Sequence, residues 1–352
     1  MHVAVALDGA GWHPAAWREP AARPAELFTA RYWTDLVAEA ERGLLDLVTI
    51  EDAFSLQPGG ADRVRGRLDA VLIAARVAPL TRHVGLVPTV VATHTEPFHI
   101  AKAIATLDYV SKGRAGVRVT VSADPVDNGH FGRRAVDGDL VAEAADYVEV
   151  LRRLWDSWED DAEIRDVATG RFVDRDKLHY IDFVGRYFSV KGPSITPRPP
   201  QGQPVVAAAA PDEPAHPFTD LAFVTPADAA DAAAIVARMP GDRHVFGDLA
   251  VVLASSSREA TARAARLGDV APFFTGTPEK LADLVAGWHH AGLSGIRLRP
   301  AVLPDDLTAI TRGLVPELQR RGLFRTSYEA DTLRGLLGLT RPENRYARTV
   351  SS

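Results

Sequence analysis

The feature that most constrains this chain is a rhythm. Eight short apolar runs rich in β-formers, at 3–7, 45–50, 83–88, 115–121, 204–209, 220–224, 244–253 and 295–298, alternate with helical patterns. The helical patterns fall at 31–42, 68–77, 97–110, 140–158, 226–238, 257–267, 278–291 and 304–321. Repeated βα units around a parallel sheet produce this pattern, because strands covered by helices become continuously apolar. A doubly wound open sheet alternates in the same way, and periodicity does not separate it from a closed barrel. Strand count favours closure: eight parallel strands close readily, and a barrel with insertions fills a length such as these 352 residues. Pro226, Pro278 and Pro304 stand where helices are expected to begin, a position whose amide lacks an intrahelical partner anyway.

Two places break the rhythm. The segment 159–203 is rich in charge, Gly and Pro without a helical period, and is expected to be an excursion over the barrel mouth. Residues 211–219, with Pro211, Pro214 and Pro217, are all that separates the fifth and sixth strands, whereas a parallel crossover takes a dozen or more. Either that unit has lost its helix or one of the two strands is misassigned. The expected organisation is one (β/α)8 TIM barrel over 1–322, with an insertion at 159–203 and a shortened unit between strands 5 and 6. A tail at 323–352 would pack on the outside or reach a partner.

Composition narrows the function. With 46% hydrophobic and 24% charged residues the chain can bury a sizeable core. A net charge of -6 without a basic run argues against nucleic-acid binding. The N-terminus reads as a buried strand and not as a secretion signal, and no apolar run spans a membrane, so a cytoplasmic location is expected. Zero cysteines exclude thiolate zinc sites, iron–sulfur clusters and a cysteine nucleophile. His94 and His99 lack a third ligand at suitable spacing, so no metal site is expected.

The stretch 82–116 carries Arg82-His83-Val84-Gly85-Leu86 in a strand, a Thr-rich turn, Glu96-Pro97-Phe98-His99, and then Ala105-Thr106-Leu107-Asp108-Tyr109-Val110-Ser111-Lys112-Gly113-Arg114-Ala115-Gly116. Further along stand Leu154-Trp155-Asp156-Ser157-Trp158, Asp176-Lys177-Leu178-His179, Tyr187-Phe188-Ser189-Val190-Lys191-Gly192-Pro193, and a Pro-rich run with Gln201 at 197–204. In these motifs the chain resembles the bacterial luciferase-like flavin-dependent monooxygenases, in the branch of nitrilotriacetate monooxygenase, dibenzothiophene sulfone monooxygenase and pristinamycin synthase. The resemblance runs over about 1–205 and resumes in the last two strands.

That resemblance implies an enzyme using reduced FMN from a separate flavin reductase, with molecular oxygen, to oxygenate a small organic substrate. It also implies a homo-oligomer. The protein's part would be a dry, oriented pocket at the strand C-termini. By the family pattern Asp52, Thr93 and Ser122 contact the cofactor, Trp12 and His94 line the substrate pocket, and His13 has a chemical role. For Asp52 and Thr93 the alternative is a cap on the following helix; for His13 it is loop packing.

The chain departs from the family at three cofactor contacts. Arg118 replaces a pocket Asn and would hold an anionic group, or else pair with Asp52 or Glu51. A His and a Tyr near the flavin phosphate become Asp137 and Val141, leaving His130, Arg133 or Arg134 as substitute donors or as solvated charges. The phosphate turn reads Ala209-Ala210-Pro211-Asp212-Glu213-Pro214, a poor anion site. These departures keep two other readings open: a non-catalytic luciferase-like partner subunit that has lost tight flavin binding, and a deazaflavin-dependent oxidoreductase. The working expectation is that Trp12, Asp52, Thr93 and Arg118 surround one cavity.

Overall fold

The computed structural model describes residues 1–347 apart from 61, 133–135, 137, 210–218, 240, 242 and 269–272. Arg133, Arg134, Asp137 and the Pro211 to Pro214 turn therefore lie outside the described residues.

Eight parallel strands form a closed ring: β1 (His2–Leu7), β2 (Leu47–Ile50), β3 (Gly85–Val91), β4 (Gly116–Thr120), β5 (Val205–Ala209), β6 (Leu221–Val224), β7 (His244–Leu253) and β8 (Gly295–Pro300). Pairing follows chain order from β1 to β8, and β8 pairs back to β1 through Val3 opposite Ile296. The fold is thus the expected (β/α)8 barrel and not an open sheet. All eight expected strands are present, including the fifth and sixth, which pair in parallel with only residues 210–220 between them.

Alternation along each strand sorts the side chains. Val48 and Ile50 face outward to the helices, while Leu47 and Thr49 face the lumen; Leu86 faces out where Val87 faces in. The lower lumen is apolar, with Ala4, Leu47, Val87, Val205, Phe223 and Phe246. The outer layer comprises α1 (Ala30–Arg42), α2 (Ala70–Val77), α3 (Pro97–Ser111), α4 (Leu140–Asp156), α5 (Ala229–Arg238), α6 (Ser257–Leu267), α7 (Pro278–His290) and a final helical run, Asp305–Ala309, Ile310–Leu314 and Val315–Arg320, whose middle part is a π-helix. Side chains satisfy the otherwise unpaired first-turn amides: Asp69 accepts from Leu72, Asp139 from Val141 and Ala142, and Thr277 from Lys280. Pro278 opens α7 as expected. Pro226 does not open α5, because the helix starts only after Asp228 has capped the Asp231 amide.

The floor of the barrel is closed by the segment beyond 322. Leu333 is fully buried and enters the lumen between β3 and β4, where a Cβ on Gly85 would stand 2.5 Å from its Cδ1. The family-like motif residues meet here. Asp108 accepts from the amides of Ala115 and Gln201 and from the Gln201 side chain at 2.6 Å, and Gln201 in turn accepts from the Arg334 amide at 2.8 Å. Arg114 directs all five N–H donors at the carbonyls of Ala78, Thr81, Val84 and Ser111 and at the Thr81 hydroxyl.

The excursion after α4 does not cover the mouth. It forms two small hairpins, Glu163–Asp166 with Arg171–Val173 and Phe183–Val184 with Ser189–Val190, and packs on the outside of α4. The Arg153 guanidinium lies 5.4 Å from the Phe183 ring, and Trp158 donates to the Ser194 carbonyl at 2.8 Å. Only the tip, Tyr187 and Phe188, reaches the mouth. Among the described residues no helix is long and apolar enough to cross a membrane.

Candidate active site

The mouth rests on a charged platform in the upper lumen. Asp248 and Arg297 are register partners on β7 and β8, and the Arg297 fork grips the Asp248 carboxylate at 2.8 and 3.0 Å. Arg297 also reaches Glu51 at 3.2 Å, and Glu51 accepts from Arg118 on its other oxygen. Arg118 additionally donates to Thr89, its register partner on β3, at 3.2 Å. Burial works against the Arg297 charge, but Asp248 and Glu51 outweigh it and raise its pKa. For Arg118 burial wins over Glu51, and Arg297 adds repulsion, so its pKa falls. Arg118 is therefore paired with Glu51, and the alternative partner Asp52 is not involved.

Asp52 spends its carboxylate on the amides of Ala53 and Ala70, at 2.8 and 2.9 Å, at the start of α2. Burial raises its pKa in spite of those bonds.

A cleft of roughly 200 Å³ opens beside the ends of β3 and β4. Thr93 and His94 form its wall, with Asn128 and Phe131 from a short helix, Pro125–Phe131, that the sequence reading did not foresee. The Thr93 hydroxyl accepts from the Ser122 amide at 3.1 Å, and the Ser122 hydroxyl donates to Asp127 at 2.6 Å. Asp127 also accepts from the Ser55 hydroxyl, tying β2's loop to the short helix. The His94 ring stacks on Phe131 at 4.8 Å and 3°. Its Nε2 and the Asn128 Oδ1 are buried and have no hydrogen-bond partner among the described residues, an uncommon condition. His130 sits exposed on the same helix.

A second cavity, of roughly 310 Å³, lies at the end of β1 and is lined by Asp8, Trp12, His13, Gln57, Arg63 and Val64. Gly11 makes its turn possible: φ is +132°, and a Cβ there would meet the Ala301 carbonyl oxygen at 2.2 Å. Trp12 donates to the Ala6 carbonyl at 3.0 Å, and the Arg299 guanidinium lies 4.9 Å from its ring. His13 Nδ1 accepts from the Ala15 amide at 3.1 Å, which leaves Nε2 to donate to the Gly268 carbonyl at 3.2 Å. Burial lowers the His13 pKa, so the ring is neutral with both nitrogens engaged.

The four residues expected around one cavity are thus divided. Trp12 lines the β1 cavity and Thr93 the β3–β4 cleft, while Arg118 and Asp52 are tied into the platform and the α2 start. Asp8, Asp127, Asp248 and Arg297 were not singled out from sequence, whereas Glu51 was named as a possible partner of Arg118. Charged residues at inward positions of apolar strands were the available signal for Asp248 and Arg297. Among the described residues no group of three potential ligands could hold a metal ion.

The described residues fit a flavin unevenly. A pyrimidine-like ring edge carries both carbonyl acceptors and an N–H donor, and the unpartnered His94 and Asn128 atoms complement such an edge. A phosphate fits less well, since Glu96 and Glu143 line the cleft and no Lys or Arg among the described residues does.

The luciferase-like monooxygenase family model matches residues 11–239, which include every described residue of the cleft. The chain is 30% identical to N-acetyl-S-(2-succino)cysteine monooxygenase of Bacillus subtilis (strain 168), over 99% of this chain and 98% of that one. It is 28% identical to nitrilotriacetate monooxygenase component A of Aminobacter aminovorans, again over 99% and 98%. These alignments extend over 434 and 445 positions against 352 residues here, so both relatives carry segments this chain lacks. Among solved structures, riboflavin lyase (RcaE) with modified FMN and substrate riboflavin superposes with a TM-score of 0.86 at 25% identity, over 98% of this chain and 97% of that one.

Proposed function

Given that the chain belongs to the luciferase-like monooxygenase family, we propose that this enzyme is the oxygenating component of a two-component flavin system in the cytoplasm, acting on a small organic molecule. Reduced FMN, delivered by a separate reductase, would supply the electrons with which molecular oxygen is divided between substrate and water. The chain's own residues hold and orient. His94 and Asn128 present polar atoms to the ring edge, with Phe131 fixing the imidazole plane. Thr93 and Ser122 tie the ends of β3 and β4 together, and the Asp248–Arg297–Glu51–Arg118 platform holds the base of the mouth rigid. The observation that carries this reading is the β3–β4 cleft with its two unpartnered buried atoms. On this reading His13 acts as a neutral wall of the substrate side, and Arg133 or His130 supplies the charge facing the phosphate.

The experiment is an anaerobic titration with reduced FMN, followed by oxygen-dependent turnover beside a reductase. Saturable binding of the reduced form supports the reading, and no affinity for it overturns the reading. The acidic lining of the cleft favours one other possibility, a barrel that has kept the fold without tight flavin binding. The same titration decides between them, with a deazaflavin as comparator. More than one copy per particle is expected by sedimentation.

A further inference from the structure

We infer that the cavity at the end of β1 receives the protonated amine of a small substrate with an apolar body, and that Asp8 is the carboxylate that holds it. This deepens the proposed function by naming a substrate class, and rests on the mouth being the oxygenase site.

Most carboxylates at the mouth are already committed. Glu51 accepts from Thr49, Arg118 and Arg297; Asp52 from two amides; Asp127 from two hydroxyls; Asp248 from the Arg297 fork. Asp8 accepts no hydrogen bond on its side chain among the described residues, and its nearest cation, Arg67, stands 3.9 Å away, beyond hydrogen-bonding distance. Its carboxylate is one quarter exposed and lines the cavity. A carboxylate that faces a cavity without a hydrogen-bond donor from the described residues leaves its oxygens open to a ligand donor.

The surroundings select a cation. Burial pushes the Asp8 carboxyl up to about 6 against the pull of Arg67, and Glu51 and Asp52 at the end of β2 add smaller pushes upward. His13 is neutral, and Gln57 is closed on Gly66 through both ends of its amide, at 2.9 Å each. Arg299 lies against Trp12, and Arg63 is exposed beside His13. A ligand ammonium would donate directly to Asp8, which Arg67 does not reach with a hydrogen bond. Trp12, Pro14, Pro58 and Val64 supply apolar wall for the body of such a molecule.

The test uses the full chain without flavin and three probes of one shape: benzylamine, benzyl alcohol and benzoate. Calorimetry at pH 6, in buffers of different ionisation enthalpy, is expected to show benzylamine binding at least tenfold tighter than the other two. Binding should release about half a proton, because the half-protonated Asp8 must ionise to take the ammonium. At pH 8 the release should vanish. Asp8→Asn should abolish the release and the preference for the amine, while reduced FMN binding stays at the wild-type value. Equal or tighter binding of the alcohol or benzoate, amine binding without proton release at pH 6, or no binding of any probe up to about 10 mM would each overturn the inference. Loss of reduced FMN affinity in the wild type, with amine binding intact, would instead strike only the proposed function.

Discussion

At the floor of the barrel, Asp108, Arg114 and Gln201 spend their polar atoms on their own chain, whereas at the mouth His94 Nε2 and Asn128 Oδ1 have no hydrogen-bond partner among the described residues and Asp8 has only Arg67, at 3.9 Å. The two ends use the same kinds of residue in opposite ways. An unsatisfied buried group costs about 1 to 3 kcal/mol, a penalty tolerated where a ligand later removes it. The floor therefore holds the ring closed, and the mouth keeps binding capacity unspent. The family-like motif of 105–116 lies wholly on the stabilising side of that division, as expected of residues at the N-terminal face of such a barrel.

The sharpest break of this contrast is Arg114→Met. It strands the carbonyls of Ala78, Thr81, Val84 and Ser111 and should cost about 3 to 5 kcal/mol in guanidinium unfolding. A loss under about 1 kcal/mol would mean the floor is not what holds the ring. Next in size is Gly85→Ala, which puts a Cβ 2.5 Å from Leu333; a loss of about 2 kcal/mol should appear with faster proteolysis beyond residue 322. At the mouth, His94→Ala should lower affinity for reduced FMN about tenfold, or about 1.4 kcal/mol, and leave the unfolding midpoint nearly unchanged. A large midpoint shift with unchanged affinity would place His94 with the floor residues.

The smallest effect has the opposite sign. The carboxyl of Asp8 rises from 3.8 to about 6 on folding. A carboxyl raised in this way favours the folded state fully below pH 3.8 and forfeits that advantage as pH climbs through 6. Asp8→Asn should therefore stabilise the protein by about 1 kcal/mol at pH 8, a figure discounted for partial exposure, and change little at pH 4. Destabilisation at pH 8 would show that Asp8 has a structural partner after all.

Much of the fold was legible in the sequence. Apolar runs and amphipathic stretches located eight strands and eight helical units, because burial on both faces writes itself into local hydrophobicity. Caps corrected the details, as where Asp228 and not Pro226 sets the start of α5. The site was legible only in part. Trp12, Thr93 and Ser122 do lie at strand ends, but the sequence could not show that Trp12 lines a different cavity from Thr93. Nor could it show that Arg118 turns to Glu51, or that the excursion of 159–203 packs along α4 and lends the mouth only Tyr187 and Phe188.

Local order was set by the sequence: which segments are strands, which faces are apolar, where helices begin, and that a helix has no room between β5 and β6. Tertiary structure decided which polar atoms find partners. Arg297 meets Asp248 across a strand pair, and Glu51 meets Arg118 over a separation of 67 residues. Hydrogen bonds act over about 3 Å, and hydrophobic periodicity carries no information on so fine a scale. Among the described residues His94 Nε2 and Asn128 Oδ1 are left without a partner after such long-range pairings have been made, a condition that exists only once the ring has closed.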